Sequence, residues 1–313
     1  MRRSVVLALG FVVTVWGLNV VMVKYLVGLF PPLALAATRI ALAALLLVPL
    51  VWWREGLPRL SRRTWGLIAA AGTSSIFLHQ IFLSVGLAHS SAAHGALILG
   101  LNPLATSLLA AWFLGERLTW QRLAGITLGF LGVALLVTDG DLRRIGAIQR
   151  GDALMFGAML TYVIGTLFVK VATREASALV VSAYSHLLAA GQLGVTALFV
   201  DEPPLPPAIG WWPIAVLLVS AWASTAMGAF LWNWAVQHIG AATTAMWLNG
   251  LPATSLFFSA LLLDEELHVW HGIALACIVA GVSLGVRGGK SPHPVVTPNR
   301  GIAGDTRARY RTP

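Results

Sequence analysis

Ten runs of apolar sequence govern what this chain can fold into. They cover about residues 4–27, 33–53, 65–88, 92–114, 121–138, 152–171, 178–200, 212–237, 242–263 and 269–287. Each is close to the ~20 residues that a helix needs to cross a bilayer. Of the 313 residues, 58% are hydrophobic and only 11% charged, too few charges to wet the surface of a soluble domain. An average soluble protein carries about 25%. Backbone inside a bilayer must satisfy its own hydrogen bonds, so each run is expected to be helical. The expected fold class is therefore an all-α membrane protein with ten transmembrane helices. The first run follows Met1-Arg2-Arg3-Ser4, exceeds the length of a signal-peptide core and has no small-x-small site before Lys24. It reads as a retained spanning helix. The single cysteine, Cys277, lies in an apolar run, which excludes an internal disulfide and suits a small buried hydrophobe.

The few charges are sorted. With the N-terminus placed inside, 16 of the 21 Lys and Arg residues fall in cytoplasmic segments, from Arg2 and Arg3 to Arg309 and Arg311. Three fall outside (Arg143, Arg144 and Arg150), all in the central loop, and Lys24 and Arg39 lie in or near helices. That bias puts both termini in the cytoplasm of a multi-pass protein of the cell (inner) membrane. The net charge of +9 then belongs to loops facing an anionic leaflet, and nucleic acid is not an expected partner. The segment 288–313 is rich in Gly, Pro and Arg, and is expected to be a disordered tail.

The chain also repeats itself. Residues 79–137 laid on 228–286, an offset of 149, give 14 identities in 59 positions, among them His89/His238, Pro103/Pro252 and Glu116/Glu265. Chance would give about five in a chain of this composition. At an offset of 146, Trp16-Gly17-x-Asn19 ending in Lys24 lies on Tyr162-x-x-Gly165 ending in Lys170. The expected organisation is a first five-helix repeat over residues 1–138, a central loop over 139–151, a second repeat over 152–287 and the tail. Five is odd, so the two halves would run through the membrane in opposite directions. Inverted repeats around a central cavity are an architecture of secondary transporters, with the substrate near the midplane. Small residues four apart, Gly125-Gly129 with Gly132 and Ala276-Ala280 with Gly281, suit close helix packing or a dimer contact, leaving monomer and homodimer open.

Several motifs are similar to those of the EamA family of the drug/metabolite transporter superfamily. They are Trp16-Gly17-x-Asn19…Lys24, then Pro103…Leu114-Gly115-Glu116-Arg117-Leu118 and its echo Pro252…Leu263-Asp264-Glu265-Glu266-Leu267, and the likeness spans about residues 5–286. The second half departs from the pattern at Asp264, where the first has Gly115. The resemblance implies ten helices and export of metabolites such as amino acids, their derivatives or drugs. It also implies a cavity lined by helices one, three, four, six, eight and nine.

Ionisable and polar groups inside spans are the site candidates, because placing them there is costly. All twelve acids fall at helix ends, in loops or in the tail, so cation antiport through a mid-membrane carboxylate lacks its central residue. A neutral, zwitterionic or anionic small-molecule substrate is expected instead. The cavity candidates are Trp16, Asn19, His79, Gln80, Asn102, Tyr162, Asn233 and Asn249. His79 could bind substrate, relay protons as a coupling ion, or join two helices. Lys24 and Arg39 bracket the Pro31-Pro32 turn, and either pair with a substrate carboxylate or snorkel to the interface. His186, in helix seven, reads as structural. His89 and His238 read as interfacial. Glu116 and Glu265 read as capping the next helix or pairing with Arg117 or Arg122. Pro103 and Pro252 interrupt helices four and nine at matching depth, as helix breaks at a binding site or as packing kinks. Trp52, Trp53, Trp65, Trp211 and Trp212 read as an interfacial belt.

No metal or cofactor is expected. An intramembrane enzyme is the alternative, but the chain has no H-E-x-x-H, no G-x-S-x-G and no pair of buried acids. Gly72-Thr73-Ser74 near His79 is a poor substitute. A channel or sensor of the same topology would not need inverted halves.

Overall fold

The computed structural model describes residues 3–114, 120–138, 140, 149–201, 209–239, 244 and 246–287. Every regular element among them is helical. Helix α1 (Arg3–Val27) turns into α2 (Pro32–Glu55), which Pro32 opens. Proline suits a first turn, where its missing N–H has no partner to lose. The third apolar run is α3 (Arg62–Gly72), a π-helical turn at Thr73–Leu78 and α4 (His79–Ala88). The fourth is divided into α5 (Ala92–Leu99) and α6 (Asn102–Leu114) at Gly100 and Leu101. Then come α7 (Trp120–Val137), α8 (Arg150–Ala172) and α9 (Ala178–Phe199). The eighth run repeats the plan of the third, with α10 (Trp211–Val219), a π-helical turn at Ser220–Met227 and α11 (Gly228–Ile239). The ninth begins in a 3-10 turn at Met246–Asn249 and continues as α12 (Gly250–Leu262), and α13 (Val269–Arg287) follows.

Six of these stretches are long and apolar enough to cross a membrane: Arg3–Val27, Pro32–Glu55, Arg62–Ala88, Arg150–Ala172, Ala178–Phe199 and Trp211–Ile239. Shorter apolar helices accompany them. The outer surface carries Leu7, Leu45, Trp53, Leu198, Phe199 and Trp211, all at least 70% exposed. Such a surface suits hydrocarbon and the bilayer interface, and the chain is a multi-pass membrane protein. Glu116, Arg117, Glu202, most of the central loop and the tail 288–313 lie outside the described residues, as does the side chain of Arg122.

The packing is an exchange between the two halves of the chain. α1 lies against the Ser220–Met227 turn, α11 and α12, while α8 lies against the Thr73–Leu78 turn, α4 and α5. α2 pairs with α9, and α7 with α13. Glycine permits the close crossings. A Cβ at Gly165 would stand 2.5 Å from the backbone nitrogen of Ser75, and one at Gly281 2.5 Å from the carbonyl oxygen of Gly125. Gly125, Gly129 and Gly132 are thus used within the chain, joining α7 to α13, while Ala276 and Ala280 face outward.

Candidate functional site

A cavity of about 130 Å³ opens where these exchanges meet. Its walls come from α1, both π-helical turns, α4, α5, α6, α8, α9, α11, the 3-10 turn and α12. Seven of the eight residues expected at a central site line it: Trp16, Asn19, His79, Gln80, Asn102, Tyr162 and Asn233. Asn249 does not. It ends the 3-10 turn with a buried Oδ1 that has no hydrogen-bond partner among the described residues, and its neighbours Leu248 and Leu251 reach the cavity instead.

The aromatic wall is built from both halves. The Trp16 and Tyr162 rings meet edge to face at 6.1 Å, Trp16 lies 5.2 Å from Trp232, and Tyr162 lies 5.2 Å from His79. Trp16 Nε1 donates to the Ser224 carbonyl at 2.9 Å, inside the second π-helical turn. A wide turn there leaves carbonyls outside the regular ladder, so a side chain can use one. His79 Nδ1 lies 2.9 Å from the Ala158 carbonyl, and His186 Nδ1 lies 2.7 Å from the Ser182 carbonyl. A carbonyl only accepts, so each Nδ1 carries the proton and Nε2 is the remaining nitrogen.

Arg39 departs most from expectation. It does not snorkel to an interface but is fully buried at 0% exposure. Its guanidinium donates to Ser220 Oγ at 2.8 Å, Gln80 Oε1 at 3.1 Å, Asn19 Oδ1 at 3.2 Å and Thr225 Oγ1 at 3.1 Å. Ser220 Oγ also donates to Asn19 Oδ1 at 2.6 Å. All four acceptors are neutral, and among the described residues no carboxylate stands within ion-pair reach of Arg39. Its position in the sequence gives its depth but not the side of α2 it occupies. The side it occupies faces the second π-helical turn, and no apolar pattern announced that turn.

Lys24, helix seven and Glu265 also depart from expectation. Lys24 is not in the cavity; its Nζ donates to the carbonyls of Leu87 at 3.0 Å and Ser90 at 2.7 Å. Helix seven is not peripheral, since α9 brings Ser182, Ser185 and His186 to the wall. Glu265 does not cap the next helix. It accepts from the amides of Ala92 and Ala93 at 2.9 and 3.1 Å, at the start of α5. Pro103 and Pro252 sit in the first turns of α6 and α12, just after the breaks, and Pro252 packs on Gly100. His89 and His238 each place Nδ1 on the carbonyl four residues back, at 3.0 and 2.8 Å. Among the described residues, no group of three His, Cys, Asp or Glu side chains could hold a metal ion.

Comparison with known proteins identifies the family. The EamA-like transporter family matches residues 3–138 and again residues 149–287. The chain belongs to the EamA-like transporter family. It is 30% identical to the uncharacterized transporter YyaM of Bacillus subtilis (strain 168), over 88% of this chain and 91% of that protein. It is 29% identical to a probable amino-acid metabolite efflux pump of Escherichia coli (strain K12), over 92% of this chain and 96% of the pump. A probable terminal-alkyne amino-acid exporter of Streptantibioticus cattleyicolor is 26% identical over 63% of this chain and 70% of that protein. A solved crystal structure shares the fold, with a TM-score of 0.65 at 19% identity over 91% of this chain and 96% of the other. The chain is a membrane transporter of this family.

Proposed function

We propose that this EamA transporter moves a small amino acid or amino-acid derivative by alternating access, binding it as a zwitterion in the central cavity. Arg39 carries the reading. Asn19 Oδ1 accepts from both Arg39 and Ser220, so that amide has only its NH2 left to offer, and Gln80, its Oε1 turned to Arg39, presents its NH2 as a second donor. Two donors backed by a buried positive charge suit a carboxylate. Asn102 supplies the complement. Its Oδ1 is buried in the same cavity without a hydrogen-bond partner among the described residues, and it suits an ammonium donor. The Trp16, Tyr162 and Trp232 rings offer an apolar surface for the side chain.

Two inverted five-helix repeats, residues 1–138 and 152–287, give the mechanism. The support is the double family match, the two π-helical turns one offset of 149 apart, and the mirrored contacts of α1 and α8. Exchanging the conformations of the halves would turn the cavity from one side of the membrane to the other. The reading places both termini in the cytoplasm of the cell membrane and takes export as the direction, in line with the printed names of the pump and exporter above. A transporter is favoured over an intramembrane enzyme because His79 and His186 donate to backbone carbonyls, and no carboxylate orients either among the described residues.

Counterflow in liposomes tests the reading. Purified protein, loaded inside with one unlabelled amino acid at a time, is expected to concentrate the labelled form of a neutral amino acid. Asn19→Ala combined with Gln80→Ala is expected to lower the exchange by about tenfold or more, the equivalent of about 1.4 kcal/mol. Exchange of a cationic dye, with neutral amino acids ignored, would overturn it.

A further inference from the structure

Four ionisable side chains from separate elements meet at one end of the bundle, where α1, α4 and α12 finish and α5, α8 and α13 begin. None lines the cavity. Lys24 Nζ, from α1, holds the carbonyls of Leu87 and Ser90. Glu265, from the α12–α13 connection, holds the amides of Ala92 and Ala93, where the dipole of α5 favours a carboxylate. Asp152, in the first turn of α8, is 0% exposed. Its Oδ1 accepts from Ser90 Oγ at 2.7 Å and lies 3.4 Å from Nδ1 of His94. Its Oδ2 is buried with no hydrogen-bond partner among the described residues. The α4–α5 connector is therefore gripped by α1 at the Ser90 carbonyl and by α8 at the Ser90 hydroxyl.

An ionised carboxylate can take donors on both oxygens, and leaving one bare in the interior is unfavourable. A proton on Oδ2 removes the charge, and His94 beside Oδ1 is a second place for it. Among the described residues, these other charged or titratable groups lie near the pair. They are Lys24; Glu265, whose charge acts on Lys24; His271, its ring 6.0 Å from that of His94; and His268, 5.9 Å from His271. Beyond them lie His89, bonded to the Val85 carbonyl, and Arg150, exposed at the start of α8. Among the described residues, no three acids and histidines stand close enough to hold a metal ion.

We propose that the Asp152–His94 pair is a proton-binding site separate from the substrate cavity, and that a proton taken up there loosens the seal at this end of the bundle. With Asp152 ionised, its bond from Ser90 is charge-assisted, about twice as strong as a neutral one. Protonation leaves the neutral bond, and α8 loosens its grip on the connector. On the orientation proposed above this end faces outward, so external acid would favour opening to the outside. Substrate and proton would occupy different groups and would not compete. The inference rests on the transporter reading for its consequence, not for the site itself.

Infrared difference spectra and counterflow separate the two. Between alkaline and acidic buffer, the full-length protein in liposomes is expected to gain a protonated-carboxyl band that Asp152→Asn lacks and His94→Gln shifts in midpoint. Counterflow of a labelled neutral amino acid is expected to quicken in acid for the wild type, with apparent affinity unchanged. In Asp152→Asn, a neutral side chain of the same shape, the acid stimulation is expected to disappear. The proposal is overturned if no Asp152-dependent band forms, or if Asp152→Asn is stimulated by acid like the wild type. Should Asp152→Asn not fold, an unmoved band and pH profile in His94→Gln overturns it equally. If the wild type exchanges nothing, the transporter reading fails and the infrared band alone decides the proton site.

Discussion

At the scale of single residues, Arg39 links stability to selectivity. A guanidinium presents five donors in a fixed fork, and here four neutral oxygens from α1, α4 and the second π-helical turn receive four of them. Hydrogen bonds to a charged group contribute about 1.5–3 kcal/mol each in soluble proteins. Their removal would also leave buried acceptors unpaired. Arg39→Met is therefore expected to lower the midpoint of thermal unfolding in detergent and to abolish exchange of carboxylate-bearing solutes. Arg39→Lys keeps the charge but offers three donors from a single point, so at least one acceptor loses its partner. It is expected to retain exchange, weakened by about tenfold, or about 1.4 kcal/mol. Normal exchange by Arg39→Met would show that the charge does not act on the substrate. The sequence marked Arg39 as costly but placed it near an interface, because helical depth can be counted and azimuth cannot. Asp152 was hidden for a related reason. It sits at a helix start, where acids are ordinarily wet, and only its neighbours Ser90 and His94 show that it is enclosed.

At the scale of elements, glycines set how closely the helices cross and so where the walls of the cavity stand. Gly165 of α8 crosses the first π-helical turn at Ser75, and an added Cβ would stand 2.5 Å from backbone that cannot swing aside. Gly165→Ala is expected to lower stability by about 1–3 kcal/mol, the usual range for overpacking, and to slow exchange. Gly191 of α9 has nothing within 4 Å of an added Cβ, and Gly191→Ala is expected to leave the midpoint of thermal unfolding and the exchange rate unchanged. Equal behaviour of the two variants would remove close crossing as a determinant. The helices themselves were legible, since their described ends fall within a few residues of the apolar runs. The breaks were legible only in part. Pro103 and Pro252 announced theirs, but the π-helical turns at Thr73–Leu78 and Ser220–Met227 contain no proline or glycine. They lengthen each hydrogen-bonded ring by one residue, and no side-chain pattern requires that. The signal available was the repeat itself, since Thr73–Leu78 moved by 149 falls on 222–227, inside the second turn.

At the scale of the whole molecule, the proposed orientation rests on the proposed five crossings in each half together with the sorting of charge. Basic residues cluster near the ends of α2, α3 and α9 that the N-terminal side of α1 shares, while the Lys24–Asp152–Glu265 seal sits at the opposite end. On the proposed orientation, with Lys and Arg inside, the seal is external. Two exposed positions read this directly, Leu29 in the turn after α1 and Leu57 in the turn after α2, at 40% and 78% exposure. In a Cys277→Ser background, a membrane-impermeant maleimide applied to intact cells is expected to label Leu29→Cys at once. Leu57→Cys is expected to react only after the membrane is opened. The reverse result would turn the molecule over. It would also place the proton site on the cytoplasmic side, where external acid could not reach it without first crossing the bilayer. Labelling of Leu29→Cys also reads the state of the protein. Because α1 carries both Lys24 of the seal and Trp16 of the cavity wall, movement at the seal should reach the turn that follows α1. An amino acid that the protein exchanges is therefore expected to change that labelling rate, whereas a rate indifferent to every such solute would uncouple the seal from the cavity.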